Sequence, residues 1–228
     1  MSQHDFTSRM SKAQYITAFV YFPLHLVILP VLLVALFMGG FISYTAANVG
    51  LYGIGLIYML ITQFSFLRRD FDALCDRFLF VLRTVLTSYC AYWIFNLIIA
   101  SVFTAVGFDD NPNQSAIVDT MDLSAGAVTA MTVFMAPIVE ELLFRGAVFG
   151  LIRRKSRVWA YIVSVAAFSL YHVLGYALTE PVFLVYTLQY IPVSWLLARS
   201  YEKTDSIWTS ILLHMTVNGV STVILNMI

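Results

Sequence analysis

Long apolar segments alternate with short polar ones along almost the whole chain. The apolar segments cover about residues 16–38, 48–67, 78–106, 123–152, 158–178, 181–198 and 207–227. A run of roughly 20 apolar residues is long enough to cross a bilayer, where backbone groups must bond within their own segment. The alternating segments of about ten residues that mark a membrane β-barrel do not occur. The pattern therefore predicts an all-α, polytopic bundle of about seven transmembrane helices.

Composition supports a membrane protein. Of 228 residues, 60% are hydrophobic and 11% are charged, whereas soluble domains carry about 25% charged residues. We therefore expect a multi-pass protein embedded in the lipid bilayer. We expect no nucleic acid among its partners. The sequence carries no signal for an oligomeric state. Small size without a soluble domain favours a bacterial cytoplasmic membrane protein.

The charged residues predict an orientation. Every basic residue except Arg145 falls before the first run or in or beside the connections after the second, fourth and sixth runs, whereas the connection 107–122 holds four aspartates. Basic connections stay on the cytoplasmic side, so we expect the N-terminus inside and the C-terminus outside. We divide the chain into residues 1–122, with three helices and an acidic external loop, and residues 123–228, with four helices.

The fourth run contains two carboxylates and a guanidinium, Glu140, Glu141 and Arg145. An ionised group inside a membrane helix costs a few kcal/mol or more and by default indicates a functional site. Glu141 and Arg145 are four residues apart, which suits an ion pair on one helix face. Glu140 is rotated by about 100° from Glu141 and points elsewhere.

Two later runs carry His172 and the pair His214 and Asn218. A rise of about 1.5 Å per residue places them and Glu140 in one slab between the cytoplasmic half and the midplane. We expect them to face one another and not lipid. A glutamate and a histidine can activate a water, and a second histidine with an asparagine can stabilise an oxyanion. Such a set can hydrolyse an amide without a covalent intermediate.

Three motifs resemble a known family. Glu140-Glu141-x-x-x-Arg145, Phe168-x-x-x-His172 and His214-x-x-x-Asn218 occur in this order on separate hydrophobic runs. They are similar to the signature of the CPBP family, intramembrane proteases related to type II CAAX prenyl endopeptidases and to bacterial bacteriocin-immunity (Abi) proteins. The resemblance covers about residues 124–222.

The resemblance implies a role for each motif residue. Glu140 and His172 would activate the hydrolytic water, His214 and Asn218 would stabilise the oxyanion, Glu141 and Arg145 would hold the site together, and Phe168 would pack beside it. No cofactor is favoured, because the H-E-x-x-H zinc motif is absent. The alternative is zinc held by Glu140, His172 and His214. The implied substrate is a membrane-embedded peptide or a lipidated protein.

Two other functions are compatible with these residues. One is a non-proteolytic membrane scaffold or immunity protein that binds a partner with the same fold. The other is a small proton-coupled transporter, since membrane glutamates and histidines also form proton relays. An internal repeat, which transporters often contain, is not found. His25 shows no partner in the sequence and is interpreted as structural.

Overall fold

The fold is all-helical in the computed structural model, which describes residues 6–108 and 111–225. We number the principal helices in chain order: α1 Lys12–Met38, α2 Tyr44–Thr62, α3 Phe64–Asp76, α4 Phe78–Ala105, α5 Ser124–Arg153, α6 Arg157–Tyr171, α7 Pro181–Thr204 and α8 Ile207–Leu225. Within the described ranges, α1, α2, α4, α5, α7 and α8 are long and apolar enough to cross a membrane. The predicted helical bundle is confirmed.

The predicted fifth run does not form one long helix. The 15-residue helix α6 ends at Tyr171, followed by a short helix, Leu174–Ala177. Pro181 then begins a 3₁₀ turn, Pro181–Tyr186, that leads into the α-helical part of α7. A proline has no backbone N–H and disfavours helix in the residue before it, so it starts a new helix here. Where the sequence predicts about seven transmembrane helices, the described chain has six long helices and one shorter apolar helix, Arg157–Tyr171.

The expected external loop also differs. The segment Pro112–Ala130 is helical, and only Ser124 within it has non-helical dihedrals. Asn111 caps this helix, because its side-chain oxygen accepts hydrogen bonds from two backbone N–H groups of the first turn. Asparagine at the cap and proline at the first position are a common start of a helix. Asp109 and Asp110 lie outside the described residues.

Helix α5 lies at the centre of the bundle. In its most apolar 18-residue window 67% of the residues are buried, against 11% in the corresponding windows of α1 and α4. Leu142, Leu143, Ala147 and Phe149 are fully buried in the main core. The outer helices expose apolar side chains, as expected for faces in contact with lipid.

Two π-helical segments, Met131–Met135 and Leu142–Phe149, interrupt α5 on either side of Ala136–Glu141. The first precedes Pro137, and another π segment, Leu24–Ile28, precedes Pro30 in α1. A proline ring clashes with the carbonyl four residues earlier in a regular helix, and a π turn changes that register. Short π segments often occur at functional sites.

The connections rich in basic residues lie together at one end of the bundle. Arg77 donates a hydrogen bond to the backbone carbonyl of Thr204, and Arg153 bonds to Glu202 across α5 and α7. Asp205 accepts bonds from Thr7 and Ser8 in the N-terminal segment. The basic connections that the sequence predicts to share one side of the membrane therefore lie at the same end of the bundle. The direction of insertion stays a prediction.

Helix α3 lies between the second and third hydrophobic runs. Its buried face contains Phe66, Leu67, Asp70 and Leu74. The Asp70 carboxylate accepts bonds from Ser8 Oγ, at 2.5 Å, and from the first backbone N–H of α8, at 2.9 Å. Burial raises the pKa of Asp70 above its usual range, and these hydrogen bonds act against the increase.

Candidate active site

Glu140 and Glu141 end the short α-helical segment Ala136–Glu141 in the middle of α5. Their exposed fractions are 3% and 0%, and that of Arg145 is 0%. A charged group this deeply buried needs hydrogen-bonding or charged partners. The two carboxylates find different ones.

The Glu141 carboxylate is bonded through both of its oxygens. Arg145 Nη1 lies 3.0 Å and His214 Nδ1 lies 2.9 Å from Oε1, and the Ser210 hydroxyl donates to Oε2. Arg145 Nη2 also donates to the backbone carbonyl and the hydroxyl of Ser194 in α7, at 3.0 and 2.8 Å. The expected Glu141–Arg145 ion pair is present, and it ties α5 to α7 and α8.

The Glu140 carboxylate faces the other way. Tyr52 of α2 donates a hydrogen bond to Oε1 at 2.9 Å. Oε2 lies 3.7 Å from His172 Nε2 and 3.9 Å from His214 Nε2. This buried oxygen makes no hydrogen bond within the part of the chain that is described. The structure thus brings Glu140, His172 and His214 together around one oxygen atom.

The second nitrogen of each imidazole determines its tautomer. His172 Nδ1 lies 2.9 Å from the backbone carbonyl of Phe168, and His214 Nδ1 contacts the Glu141 carboxylate. Both partners only accept hydrogen bonds, so both Nδ1 atoms carry hydrogen. In the neutral form each Nε2 then presents a lone pair toward Glu140.

Phe168 does more than fill space beside the site. Its ring centroid lies 4.5 Å from that of His172 and 5.7 Å from that of His214. The Arg145 guanidinium carbon lies 4.1 Å from the same centroid, a cation–π contact. Phe168 therefore packs against both histidines and the arginine, and its carbonyl orients His172.

Asn218 is half-buried and donates from Nδ2 to the backbone carbonyl of Thr132, at 2.8 Å, in the first π segment of α5. An asparagine amide has two N–H groups, so one remains for another acceptor. The Tyr190 ring stacks on His172 with centroids 4.5 Å apart. Tyr190 was not singled out by the motifs.

Sequence analysis also missed Tyr52, Tyr171 and the role of His25. Tyr171 OH lies 2.9 Å from Tyr52 OH and 3.0 Å from His25 Nε2. His25 is 1% exposed. The sequence shows no partner for it, and the structure gives it one, the Tyr171 hydroxyl. The only available signal was a histidine within an apolar run, because tyrosines are frequent in the sequence.

The zinc alternative requires donor side chains that converge on one point. Among the described residues, no group of three or more His, Cys, Asp or Glu side chains is arranged to hold a metal ion. Glu140, His172 and His214 do not form such a group, so we derive no step through a metal. Cys75 and Cys90 are exposed free thiols.

Comparison with known proteins supports the motif resemblance. Residues 123–220 match the family model described as "Type II CAAX prenyl endopeptidase Rce1-like". The match begins in α5 and contains Glu140, His172, His214 and Asn218, and it confirms the family resemblance. No curated protein and no solved structure matches the chain significantly.

Proposed function

We propose that this membrane protein, which carries the Rce1-like region of type II CAAX prenyl endopeptidases at residues 123–220, is an intramembrane endopeptidase that uses Glu140 and His172 to activate water. The observation that supports it most directly is Glu140 Oε2, buried within 4 Å of two imidazole nitrogens. A general base must lie within hydrogen-bond reach of the proton it takes, directly or through one water. An oxygen and two nitrogens at these separations suit a water held among them.

The proposed reaction is a direct hydrolysis. The water oxygen forms a bond to the peptide carbonyl carbon while one water proton passes to Glu140, and His172 Nε2 accepts a hydrogen bond from the other. The tetrahedral intermediate then collapses, the C–N bond breaks, and Glu140 returns its proton to the leaving amine. No covalent enzyme intermediate is required.

His214 and Asn218 are proposed to stabilise the oxyanion. His214 Nε2 can donate only when the imidazole is doubly protonated, and the Glu141 carboxylate at Nδ1 is the group that stabilises such a cation. Asn218 contributes the N–H that Thr132 does not use. Glu141 and Arg145 hold these groups in place.

The substrate class follows from the membrane setting and the family. We propose a membrane-associated peptide or lipidated protein, with a CAAX-type C-terminus, a leader peptide or a bacteriocin-related peptide as the candidates. Cleavage would occur between the cytoplasmic face and the midplane, with the N-terminus inside and the protein in a bacterial cytoplasmic membrane.

The experiment compares peptide termini in membrane and secreted fractions from cells that carry the wild type, Glu140→Ala or His172→Ala, at equal protein levels. A terminus present only with the wild type supports proteolysis and identifies the substrate. If both variants give the same peptide termini as the wild type while deletion of the gene changes the phenotype, the proposal that the protein is a peptidase is wrong. That result would favour the non-proteolytic scaffold or immunity protein. Ion flux measured in vesicles would instead favour the transporter.

A second arm tests the metal. Purified protein is assayed on the identified peptide before and after treatment with a chelator, and its zinc content is measured. We expect cleavage to be unchanged and zinc to be below one ion per chain. Loss of activity on chelation, with recovery on added zinc, would contradict the metal-free mechanism and restore Glu140, His172 and His214 as ligands.

A further inference from the structure

A continuous line of hydrogen bonds leads from the Glu140 carboxylate away from the histidines. Glu140 Oε1 is 2.9 Å from Tyr52 OH, which is 2.9 Å from Tyr171 OH, which is 3.0 Å from His25 Nε2. The four residues come from four different helices, α5, α2, α6 and α1. We call this line the tyrosine chain.

The Glu140 carboxylate at one end of the tyrosine chain determines which group donates in every hydrogen bond of the chain. An ionised carboxylate only accepts hydrogen bonds, so Tyr52 donates to Glu140. The Tyr52 oxygen then accepts from the Tyr171 hydroxyl, and the Tyr171 oxygen accepts from His25 Nε2–H. All three donors point toward Glu140, and aligned hydrogen bonds strengthen one another.

The far end of the chain is enclosed. His25 Nδ1 lies 3.5 Å from Tyr21 OH, and the Tyr21 ring, 1% exposed, stacks on Tyr58. The His25 ring also packs against the rings of Tyr52 and Tyr171, with centroids 5.4 and 6.0 Å apart. The chain therefore leads into a buried aromatic cluster and not to solvent, which suits holding a group in place more than carrying protons.

We propose that Tyr52 is a positioning residue for Glu140, and that Tyr171 and His25 fix the direction of the Tyr52 hydroxyl. This inference rests on the proposed function. The terminal torsion of a glutamate is broad, so the carboxylate alone has no single orientation. With Oε1 held by Tyr52, Oε2 is turned toward His172 and His214, where the water must be bound. The first half of the chain, outside the family match, thus completes the site.

The kinetic test uses Tyr52→Phe, Tyr171→Phe and the double variant, with Tyr58→Phe as matched control. Tyr58 lies on the same helix as Tyr52 and donates its hydroxyl bond to the Thr17 carbonyl. The probe is an internally quenched farnesylated peptide with a CAAX terminus, in vesicles of phosphatidylethanolamine and phosphatidylglycerol. We expect kcat to fall about tenfold for Tyr52→Phe and about threefold for Tyr171→Phe, with KM unchanged. The double variant should equal Tyr52→Phe, because Tyr171 acts through Tyr52.

The control and the double variant separate positioning from packing. Tyr58→Phe should keep the wild-type kcat. An unchanged kcat in Tyr52→Phe, multiplication of the two single effects in the double variant, or an equal loss in Tyr58→Phe would overturn the proposal.

A spectroscopic arm does not depend on cleavage. 3-Fluorotyrosine is placed at position 52 or at position 58, and its ¹⁹F resonance is compared with and without Glu140→Ala, which removes the acceptor of the Tyr52 hydrogen bond. We expect a shift at position 52 and none at position 58; no shift at 52 overturns the proposal. If the resonance at position 52 shifts but the wild type cuts neither this peptide nor any peptide in the comparison of cell fractions, the proposed function fails while the bond from Tyr52 to Glu140 stands.

Discussion

Glu140 and Glu141 are neighbours in the sequence with opposite surroundings. Both oxygens of Glu141 are bonded, by Arg145, His214 and Ser210. Glu140 has one oxygen bonded to a tyrosine and the other turned toward two imidazoles that do not bond it. Two identical side chains, equally buried, are therefore suited to different tasks: one stabilises the bundle and the other is free to react.

The difference arises from which helices each carboxylate faces. The rotation of about 100° between successive helical residues directs Glu141 to α8, and Glu140 to α2 and the end of α6. His214 joins the two sides, because its Nδ1 contacts Glu141 and its Nε2 faces Glu140. Glu141, whose hydrogen-bonding oxygens are both occupied, thus orients the His214 ring, and the same ring lies beside Glu140.

The largest effect should come from Glu140→Gln. Glutamine keeps an oxygen to accept the Tyr52 bond but cannot take a proton from water. We expect activity to fall by about 10⁴-fold, at the upper end for general base catalysis, with the unfolding temperature in detergent nearly unchanged. Cleavage assays and thermal unfolding on the same preparations check both parts.

Glu141→Gln is the matched variant for that comparison. It leaves Arg145 buried without its counter-ion, so we expect a clear loss of stability. If Glu140→Gln loses stability instead, or keeps activity, the division between a reactive and a structural carboxylate is wrong.

The next largest effect should be on stability, from Arg145→Met. Removal of the guanidinium leaves the Glu141 carboxylate buried without a cation and breaks the link to Ser194. Breaking a buried pair on one side costs about 3–5 kcal/mol in the free energy of unfolding. The measurement is thermal or denaturant unfolding in detergent, followed by tryptophan fluorescence.

Arg153→Met is the control for that experiment. Arg153 also bonds a glutamate, Glu202, but its side chain is 18% exposed and lies at the end of the bundle. Glu202 keeps Arg157 as a partner in this variant, and ion pairs near the surface contribute about 0–1 kcal/mol, so the unfolding temperature should change little. Equal losses in the two variants would show that the position of the pair inside the membrane does not matter.

Much of this architecture could be predicted from local patterns. Hydrophobic length predicted the helices, and a spacing of four predicted the Glu141–Arg145 pair. The energetic cost of a membrane-exposed charge predicted that Glu140 and the histidines converge. Pro112 after Asn111 was an available signal for the helix that replaces the expected loop. These features depend on nearest neighbours in the chain or on the bilayer.

The tyrosine chain and the π segments could not be predicted in that way. Tyr52 and Glu140 are 88 residues apart, and His25 and Tyr171 are 146 residues apart. No spacing rule connects them, and tyrosines in apolar helices usually have other roles. The early end of α6 at Tyr171 interrupts one continuous hydrophobic run.

The smallest of the effects predicted for this comparison of the two carboxylates concerns Asn218, which borders the reactive side. We expect Asn218→Ala to lower kcat by about 10²-fold, as for loss of one oxyanion donor, with little change in KM. Loss of the bond to the Thr132 carbonyl should cost about 1 kcal/mol of stability. Steady-state kinetics and unfolding measure the two effects separately.

Asn48→Ala is the control for that stability change, because Asn48 likewise donates its amide to a backbone carbonyl, that of Tyr44, at 3.1 Å. It should leave kcat unchanged. If Asn218→Ala also loses only stability, Asn218 is an interhelical tie that belongs with Glu141 on the structural side. The oxyanion would then depend on His214 alone, and the site's reactive side would consist of Glu140 and the two histidines.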